Sequence, residues 1–487
     1  MLVSRELIEA YLEDESRRGP ARAGAYSGSA GGAPCGDLVR VSLLLADGAV
    51  GSVSYEAEGC AATRAAAAAM AEVVEGKPVL EAALVGTAVL EQELGGLSIT
   101  HRHAVDLAAD ALSRALGAAA SSAEELAGEN SDRVLVALSG GVDSAVAALF
   151  ERERGAEVVA VTLKLWADRH TDGARSCCSP ESVIRARDLA HSLGIPHFTL
   201  DLEQRFRLTV VEGFLAGYAA GRTPNPCVRC NGELRIDAMI ELAERLGASH
   251  LATGHYARVV DDGEGPLLAR PSDERKDQTH MLAALRPGSL AWLRFPLAQT
   301  TKPKVRDLAA CAGLPVAKRP ESQDLCFLAG QSKREFLRRH GGLEDRPGEI
   351  VDATGRVLGR HPGHHNFTIG QRRGLGIGGG DPRYVLATDA ERNRVVVGSR
   401  EELAQETVRL RAARLLRERS RVDAVRLRHH SPPLPCRVAQ QAGRELTLEL
   451  EQPGFGVAPG QTASLLDGDL IVGHGTIAAS ARESAVA

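Results

Sequence analysis

Aromatic residues make up only 3% of this 487-residue chain, so its cores must be filled by Leu, Val, Ile and Ala rather than by rings. No uncharged apolar run approaches the roughly 18 residues that a bilayer-spanning helix needs, which excludes a helical membrane protein. The opening MLVSRELIEAYLEDESRR lacks the basic start and apolar stretch of an export signal. Nine cysteines without such a signal are expected as reduced thiols in the cytoplasm, serving chemistry or metal binding rather than structural disulfides. The hydrophobic share of 44% and charged share of 25% are ordinary for a globular protein and exclude wholesale disorder. No fixed-period repeat is present.

What is present falls into blocks of different grammar. Residues 1–132 hold 9 basic and 20 acidic residues, net −11, and the remainder is net +6. A weakly basic body with an acidic appendage is compatible with a polyanionic partner. Residues 1–120 read as an α+β domain with strands at 38–45 and 50–55, a turn at Asp47-Gly48 and Ala-rich helices. A linker is expected over 121–132, within the low-complexity stretch AAASSAEELAGENSD. From 133 to 335, apolar runs such as RVLVAL and VVAVTLKLW alternate with helical segments. This predicts a doubly wound α/β parallel sheet with ligands at the carboxyl ends of its strands. Residues 336–400 and 401–480 read as two small, mainly β domains, the second barrel-like.

The most informative string is Ser139-Gly140-Gly141-Val142-Asp143-Ser144, directly after the strand RVLVAL. Two glycines let backbone N–H groups approach an anion, two hydroxyls add donors, and the next helix points its positive end at phosphates. No Gly-Lys-Ser/Thr follows, so this is not a Walker loop. It resembles the pyrophosphatase-type (PP) loop of enzymes that cleave ATP to AMP and pyrophosphate. Asp143 is expected to cap the helix, or to hold Mg2+ or orient the nucleotide. A second string, GRTPNPCVRCNGELR, carries Cys227 and Cys230. Its prolines are expected to exclude a helix and to place the thiols on an ordered loop. CxxC fits half a zinc site, a redox pair or a nucleophile, and a third thiol, Cys326, lies in SQDLCF. Cys311 is expected in a core, and Cys436 in a strand without a function.

Taken in order, SGGVDS, CCS (177–179), GRTPNPCVRCN, ATGHYAR, KDQTH, SQDLCF, FTIGQRRGLGI and APGQ resemble the tRNA-specific 2-thiouridylases of the MnmA type over roughly 70% of the chain. The resemblance implies ATP on Ala137, Leu138, Ser139, Gly140, Gly141, Val142, Asp143 and Ser144, with Leu163 and Gly254 at the adenosine end. It implies adenylation of O2 of the wobble uridine, and a persulfide on Cys326 supplied by a cysteine desulfurase or relay protein. Cys230 is the matching nucleophile. Either it attacks that persulfide to release sulfide, or the persulfide attacks C2 directly. A cation at Arg229 or a helix start would favour the thiolate. Asn225, Pro226 and Cys227 would face the extruded base, which cannot react while stacked. His255, Lys276, Asp277, Gln278, Arg426, Leu427 and Gln461 would contact tRNA. The Arg-rich stretch 409–428 is expected to meet phosphates rather than form a plain solvated face. Some relatives carry Asp where this chain has Cys227, and the three thiols Cys227, Cys230 and Cys326 could together hold a four-iron cluster.

The strings AGGAPCGD, EGCAATRAAAAAM and HRHAVDLAADAL resemble the iron–sulfur scaffold family of the IscU or NifU N-terminal type. This implies ligands at Cys35, Asp37, Cys60 and His103, for zinc or an iron–sulfur cluster. The family's third cysteine falls on Ala104, so a degenerate docking domain stands as the other reading. Two rival functions remain for the whole chain. One is a small-molecule ligase of the argininosuccinate or GMP synthetase sort, which leaves the thiols unexplained. The other is a non-enzymatic cluster scaffold, which leaves the intact nucleotide loop unexplained.

Overall fold

The computed structural model describes residues 3–31, 36–98, 100–166, 168, 180–319, 325–328, 330–378 and 381–479. Cys35, Cys177 and Cys178 lie outside these residues. Strands Tyr26–Gly31, Leu38–Ala46 and Ala49–Glu58 form an antiparallel meander. Asp47 and Gly48 turn between the last two with φ of 50° and 72°, the left-handed pair that a two-residue hairpin requires. Alternate residues Val39, Val41 and Leu43 point inward onto the helices Ala61–Val74 and Arg102–Ser122. The second helix continues into the stretch expected as linker. Ala118, Ala119 and Ala120 favour helix, and the hydroxyls of Ser121 and Ser122 donate to the carbonyls of Gly117 and Ala118.

The parallel sheet runs in the spatial order Leu293–Arg294, Ala248–Thr253, Asn130–Ala137, Glu157–Lys164, His197–Asp201. Numbered along the chain this is 5-4-1-2-3, the doubly wound order. Its switch point lies between Asn130–Ala137 and Ala248–Thr253, and ligands bind in the crevice at that point. The N-terminal meander is joined to this sheet without a gap. Helix Arg102–Ser122 lies on the edge strand His197–Asp201, and a Cβ on Gly117 would stand 2.1 Å from the Thr199 carbonyl oxygen, so only glycine permits the approach. Arg187 pairs with Asp110, the His197 N–H donates to the Ala83 carbonyl, and Arg245 donates to the Ala120 carbonyl. One hydrophobic core runs through both halves.

Beyond residue 340 the chain is β, as expected. Strands Val357–His361, Gly348–Val351, Arg394–Gly398 and Tyr384–Asp389 form a small sheet. Six further strands between Ala404 and Ile477 close into a barrel, because Ala404–Leu415 pairs with both Glu445–Phe455 and Leu470–Ile477. The hairpin Arg258–Asp261 and Pro266–Ala269 leaves the α/β body and adds to this barrel by pairing with Leu470–Ile477. Arg417 clamps the hairpin, donating to Asp262 Oδ1 and to the Gly265 carbonyl, each at 2.7 Å, and Arg421 also reaches Asp262. These guanidiniums hold the Asp262 carboxyl well below the usual carboxylate range. Only part of the Arg-rich stretch is turned inward, and Arg409, Arg411, Arg414 and Arg419 are exposed. Arg417, Arg421 and Arg426 have internal carboxylate partners, because the barrel uses them to fasten itself to the body.

Two cysteine expectations meet opposite outcomes. Cys436 is buried in strand Leu434–Ala442, and burial pushes its thiol up to about 12. Cys311 is exposed rather than packed. It ends helix Lys302–Cys311, whose buried face is Val305 and Ala309 at i, i+4 spacing. No helix among the described residues is long and apolar enough to cross a membrane.

Candidate functional site

The loop after Asn130–Ala137 is pinned from within. Ser144 Oγ accepts from the Ser139 N–H at 3.1 Å and donates to the Gly141 carbonyl at 3.1 Å. Thr162 Oγ1 donates to the Leu138 carbonyl at 2.6 Å from the neighbouring strand. Gly254 ends strand Ala248–Thr253 against this loop. A Cβ there would lie 2.7 Å from the Ser144 nitrogen, so the glycine lets two strand ends converge. A cavity of about 700 Å³ opens over the loop, lined by Ala137, Ser139, Gly141, Val142, Asp143, Ser144, Gly254, His255, Lys276 and Gln278 among the residues named from sequence. Leu163 is buried in its strand and is not part of that wall.

The cavity also holds residues that sequence reasoning missed. Lys302 Nζ lies 2.6 Å from both carboxylate oxygens of Asp143, and the Tyr256 hydroxyl donates to Asp143 Oδ1 at 3.0 Å. Arg319 Nη1 donates to the Gly140 carbonyl at 2.7 Å. Arg235, His429 and His430 complete this set. The Thr301-Lys302-Pro303 start of a helix was the available signal for Lys302, since Pro at the first turn marks a helix N-terminus. Asp143 is the only carboxylate among the lining residues, which otherwise bring four cationic side chains, Arg235, Lys276, Lys302 and Arg319.

The expected RNA-contacting residues sit at the joint between body and barrel, and several have internal partners. Asp277 accepts from the Thr279 N–H and hydroxyl and from Arg426 Nη1 at 2.7 Å, with both members of the pair buried. Those donors lower the Asp277 pKa against a desolvation that acts the other way. The Gln278 side-chain oxygen accepts from the Tyr256 N–H. His255 Nδ1 shares a hydrogen bond with Thr253 Oγ1 at 2.8 Å, and burial with nearby Arg235 pushes its pKa down to about 3. Leu427 is buried in the barrel core. The Gln461 side-chain amide donates to the carbonyls of Thr223 and Pro224, and the Thr223 N–H donates to the Pro459 carbonyl. The APGQ string thus grips the GRTPNPC string.

The thiols themselves lie on a helix, which corrects the expected loop. Asn225 caps Pro226–Cys230 by accepting from the Val228 N–H, and Pro226 occupies the first turn, where its missing N–H costs nothing. The helix continues through a π-turn, Asn231–Arg235, into Ile236–Arg245. Cys227 therefore stands in the first turn, at the positive helix end that favours a thiolate. Cys230 is buried one turn further on. Arg229 is matched by Glu233 at 2.9 Å, so its charge is partly spoken for. Cys326 opens the short turn Cys326–Leu328 and packs half-buried against the core that contains Cys230. Among the described residues, Cys227, Cys230 and Cys326 do not bring their sulfurs within 4.8 Å of one another, the spacing that a single metal ion needs. Cys326 lies on a separate segment from the helical pair.

One such group does exist. Asp37, Cys60 and His103 bring ligand atoms within 4.8 Å of one another. Three elements supply them: the residue before strand Leu38–Ala46, the N-cap of Ala61–Val74 and the first turn of Arg102–Ser122. His103 Nδ1 lies 3.0 Å from the Thr100 carbonyl, which can only accept, so that nitrogen carries a proton. Nε2 then faces Asp37 Oδ2 at 3.2 Å, an arrangement that calls for a proton or a metal ion between them. The Thr63 hydroxyl donates to Asp37 and, with His103 and Cys60, holds its carboxyl below the usual range. A sulfur, an imidazole nitrogen and a carboxylate suit zinc or iron. Ala104, at the position of the resemblance's third cysteine, is fully buried and offers nothing.

A doubly wound sheet with a PP-type loop at its switch point defines an ATP-binding α/β protein. The comparisons agree. The family model described as "tRNA methyl transferase HUP domain" matches residues 132–330, and "tRNA methyl transferase PRC-barrel domain" matches 334–399. "Aminomethyltransferase beta-barrel domain" matches 404–477, and "NifU-like N terminal domain" matches 5–123. A "Bifunctional protein NifU/MnmA" from Rubrobacter xylanophilus is 47% identical over 93% of both chains. The "tRNA-specific 2-thiouridylase MnmA" of Rhodospirillum centenum is 43% identical over 73% of this chain and 94% of its own, and that of Acidithiobacillus ferrooxidans 43% over 71% and 98%. The chain belongs to the tRNA-specific 2-thiouridylase family, with a NifU-like domain fused at its N-terminus.

Proposed function

We propose that this protein is a tRNA-uridine 2-sulfurtransferase that adenylates the wobble uridine with ATP and replaces its O2 by sulfur. The observation that carries the reading is the cavity over the Ser139–Ser144 loop, walled by Arg235, Lys276, Lys302 and Arg319 around a single carboxylate. That setting suits a triphosphate meeting an RNA. The uridine O2 attacks the α-phosphorus of ATP and pyrophosphate leaves, with the cations balancing its charge. Asp143 is the carboxylate on offer to Mg2+, which would supply further charge neutralisation on the phosphates. A cysteine desulfurase or relay protein in the cytoplasm delivers a persulfide to Cys326. In one route the Cys230 thiolate attacks the inner sulfur, giving HS⁻ and a Cys230–Cys326 disulfide, and HS⁻ then displaces AMP from C2. In the other, the terminal persulfide sulfur displaces AMP first, and Cys230 then breaks the S–S bond. Both give 2-thiouridine, AMP and the same disulfide, which an external thiol must reduce. Asn225, Pro226 and Cys227 face the extruded base. Lys276, Gln278 and His255 contact RNA, while Asp277, Arg426, Leu427 and Gln461 hold the surfaces that do so. Purified protein with ATP, tRNA and a persulfide donor is expected to form AMP and 2-thiouridine in equal amounts, each dependent on tRNA. AMP formation without tRNA but with a small carboxylate or amide acceptor would favour the ligase reading instead.

The N-terminal group is proposed as a metal site completed by Cys35, carrying zinc or an iron–sulfur cluster as cargo. Metal analysis of the full chain is expected to find about one zinc, or iron with sulfide, per chain, and Cys60→Ala or His103→Ala is expected to remove most of it. No metal in any of the three proteins would leave docking as the role of this domain.

A further inference from the structure

We infer that His429 and His430 form a stacking platform for a nucleobase of the RNA substrate, an inference that rests on the thiolation reading above. Both line the ATP cavity, yet both come from the barrel, on the loop after strand Ala424–Arg426. Their ring centroids are 3.8 Å apart at 45°, and His280 lies behind His429 at 6.3 Å and 23°. Three imidazoles therefore cluster together, two of them on the cavity lining. The chain has few rings to offer here. Trp166, Phe206, Phe214, Phe327 and Phe336 are committed to one another, and the one carbocyclic ring among the described cavity residues, Tyr256, is tied through its hydroxyl to Asp143. His255, the other imidazole of the lining, is engaged by Thr253 and packs edge-on against Phe295, which leaves the His429–His430 pair.

Two features indicate that the pair is built for a ligand. His430 is held at φ +61°, a left-handed conformation that a non-glycine residue adopts at a cost. The turn is fixed from both sides, since the Arg428 N–H donates to Ser431 Oγ, and the Ser431 N–H donates to the Arg428 carbonyl. His429 Nδ1 is buried without a hydrogen-bond partner in the chain, a group that a base edge or ribose hydroxyl would satisfy. Burial and the neighbouring His430 push the His429 pKa down to about 4, so its ring is uncharged at neutral pH and suits a base rather than a phosphate. Lys276 and Gln278, which the resemblance assigns to RNA contact, line the same cavity.

The test is steady-state thiolation of tRNA by full-length variants, with KM measured separately for tRNA and for ATP. His430→Ala, an exposed position, and the double variant His429→Ala/His430→Ala are expected to raise KM for tRNA by about tenfold or more, with KM for ATP nearly unchanged. Phenylalanine at both positions is expected to bring tRNA KM back to within about threefold of the parent, since it keeps the stacking face and loses the ring nitrogens. An unchanged tRNA KM in both alanine variants would overturn the platform, as would a rise confined to ATP, or phenylalanine behaving like alanine. A parent protein that does not thiolate tRNA would instead remove the functional reading itself.

Discussion

Serine at position 326 is expected to lower 2-thiouridine formation by more than about 10³-fold while tRNA-dependent release of pyrophosphate continues. The two half-reactions use different parts of the molecule. Adenylation belongs to the loop and its cations, and sulfur delivery belongs to a side chain that can carry a persulfide, which a hydroxyl cannot. The substitution leaves the fold intact, because the segment is anchored by Phe327, whose ring sits 5.0–5.8 Å from those of Phe206, Phe214 and Phe336. Serine at Cys230 distinguishes the two routes. If Cys230 must release sulfide, nothing forms beyond the adenylated RNA. If the persulfide attacks C2 itself, a disulfide-linked RNA–protein adduct accumulates on Cys326. Denaturing electrophoresis with and without reductant reads the outcome. Loss of pyrophosphate release in Cys326→Ser would contradict the division of labour.

Lys302→Ala is expected to reduce kcat/KM for ATP by about 10²–10³-fold, and unlike Cys326→Ser it removes AMP formation and thiolation together. Lys302 is 7% exposed and bonds both oxygens of Asp143, so the variant leaves that carboxylate uncompensated beside incoming phosphates. Its backbone N–H is held by Asp273, so the helix start survives the loss of the side chain. Lys302→Arg is expected to recover only part of the rate, because a planar fork cannot take the place of a compact ammonium between two oxygens. Pyrophosphate release measured beside thiolation checks this, and equal adenylation in Lys302→Ala and the parent would refute it.

Much of this was legible in the sequence where the signal is local. The apolar run before two glycines, the Asp47-Gly48 turn and the Ala-rich helices each depend on neighbours a few residues apart, and each lies where its pattern points. Pairings across long separations were not legible. Lys302 meets Asp143 across 159 residues, and Gln461 meets Thr223 across 238. A single sequence contains no term for such contacts. The helix at Pro226 was misread because proline was weighed as a breaker, although at a first turn it is a starter. The inward pairing of Arg417 and Arg426 was not legible because their carboxylate partners lie on a distant hairpin and loop. The N-terminal ligands were read from three separate strings, and it is folding that brings Asp37, Cys60 and His103 to one point.

Helix Arg102–Ser122, about 30 Å long, carries His103 in its first turn and lies against the edge strand His197–Asp201 of the ATP-binding sheet. Only residues 123–129 separate it from the first strand of that sheet, and the N–H groups of Leu126 and Ala127 are fastened to the Arg245 carbonyl. The fused domain is thus bolted on rather than leashed. A leashed donor would sweep through space and owe its efficiency to slack in the connection, and here there is no slack. Any exchange between the Asp37–Cys60–His103 group and the nucleotide cavity would need a courier that visits each in turn, or a rearrangement large enough to break a common core.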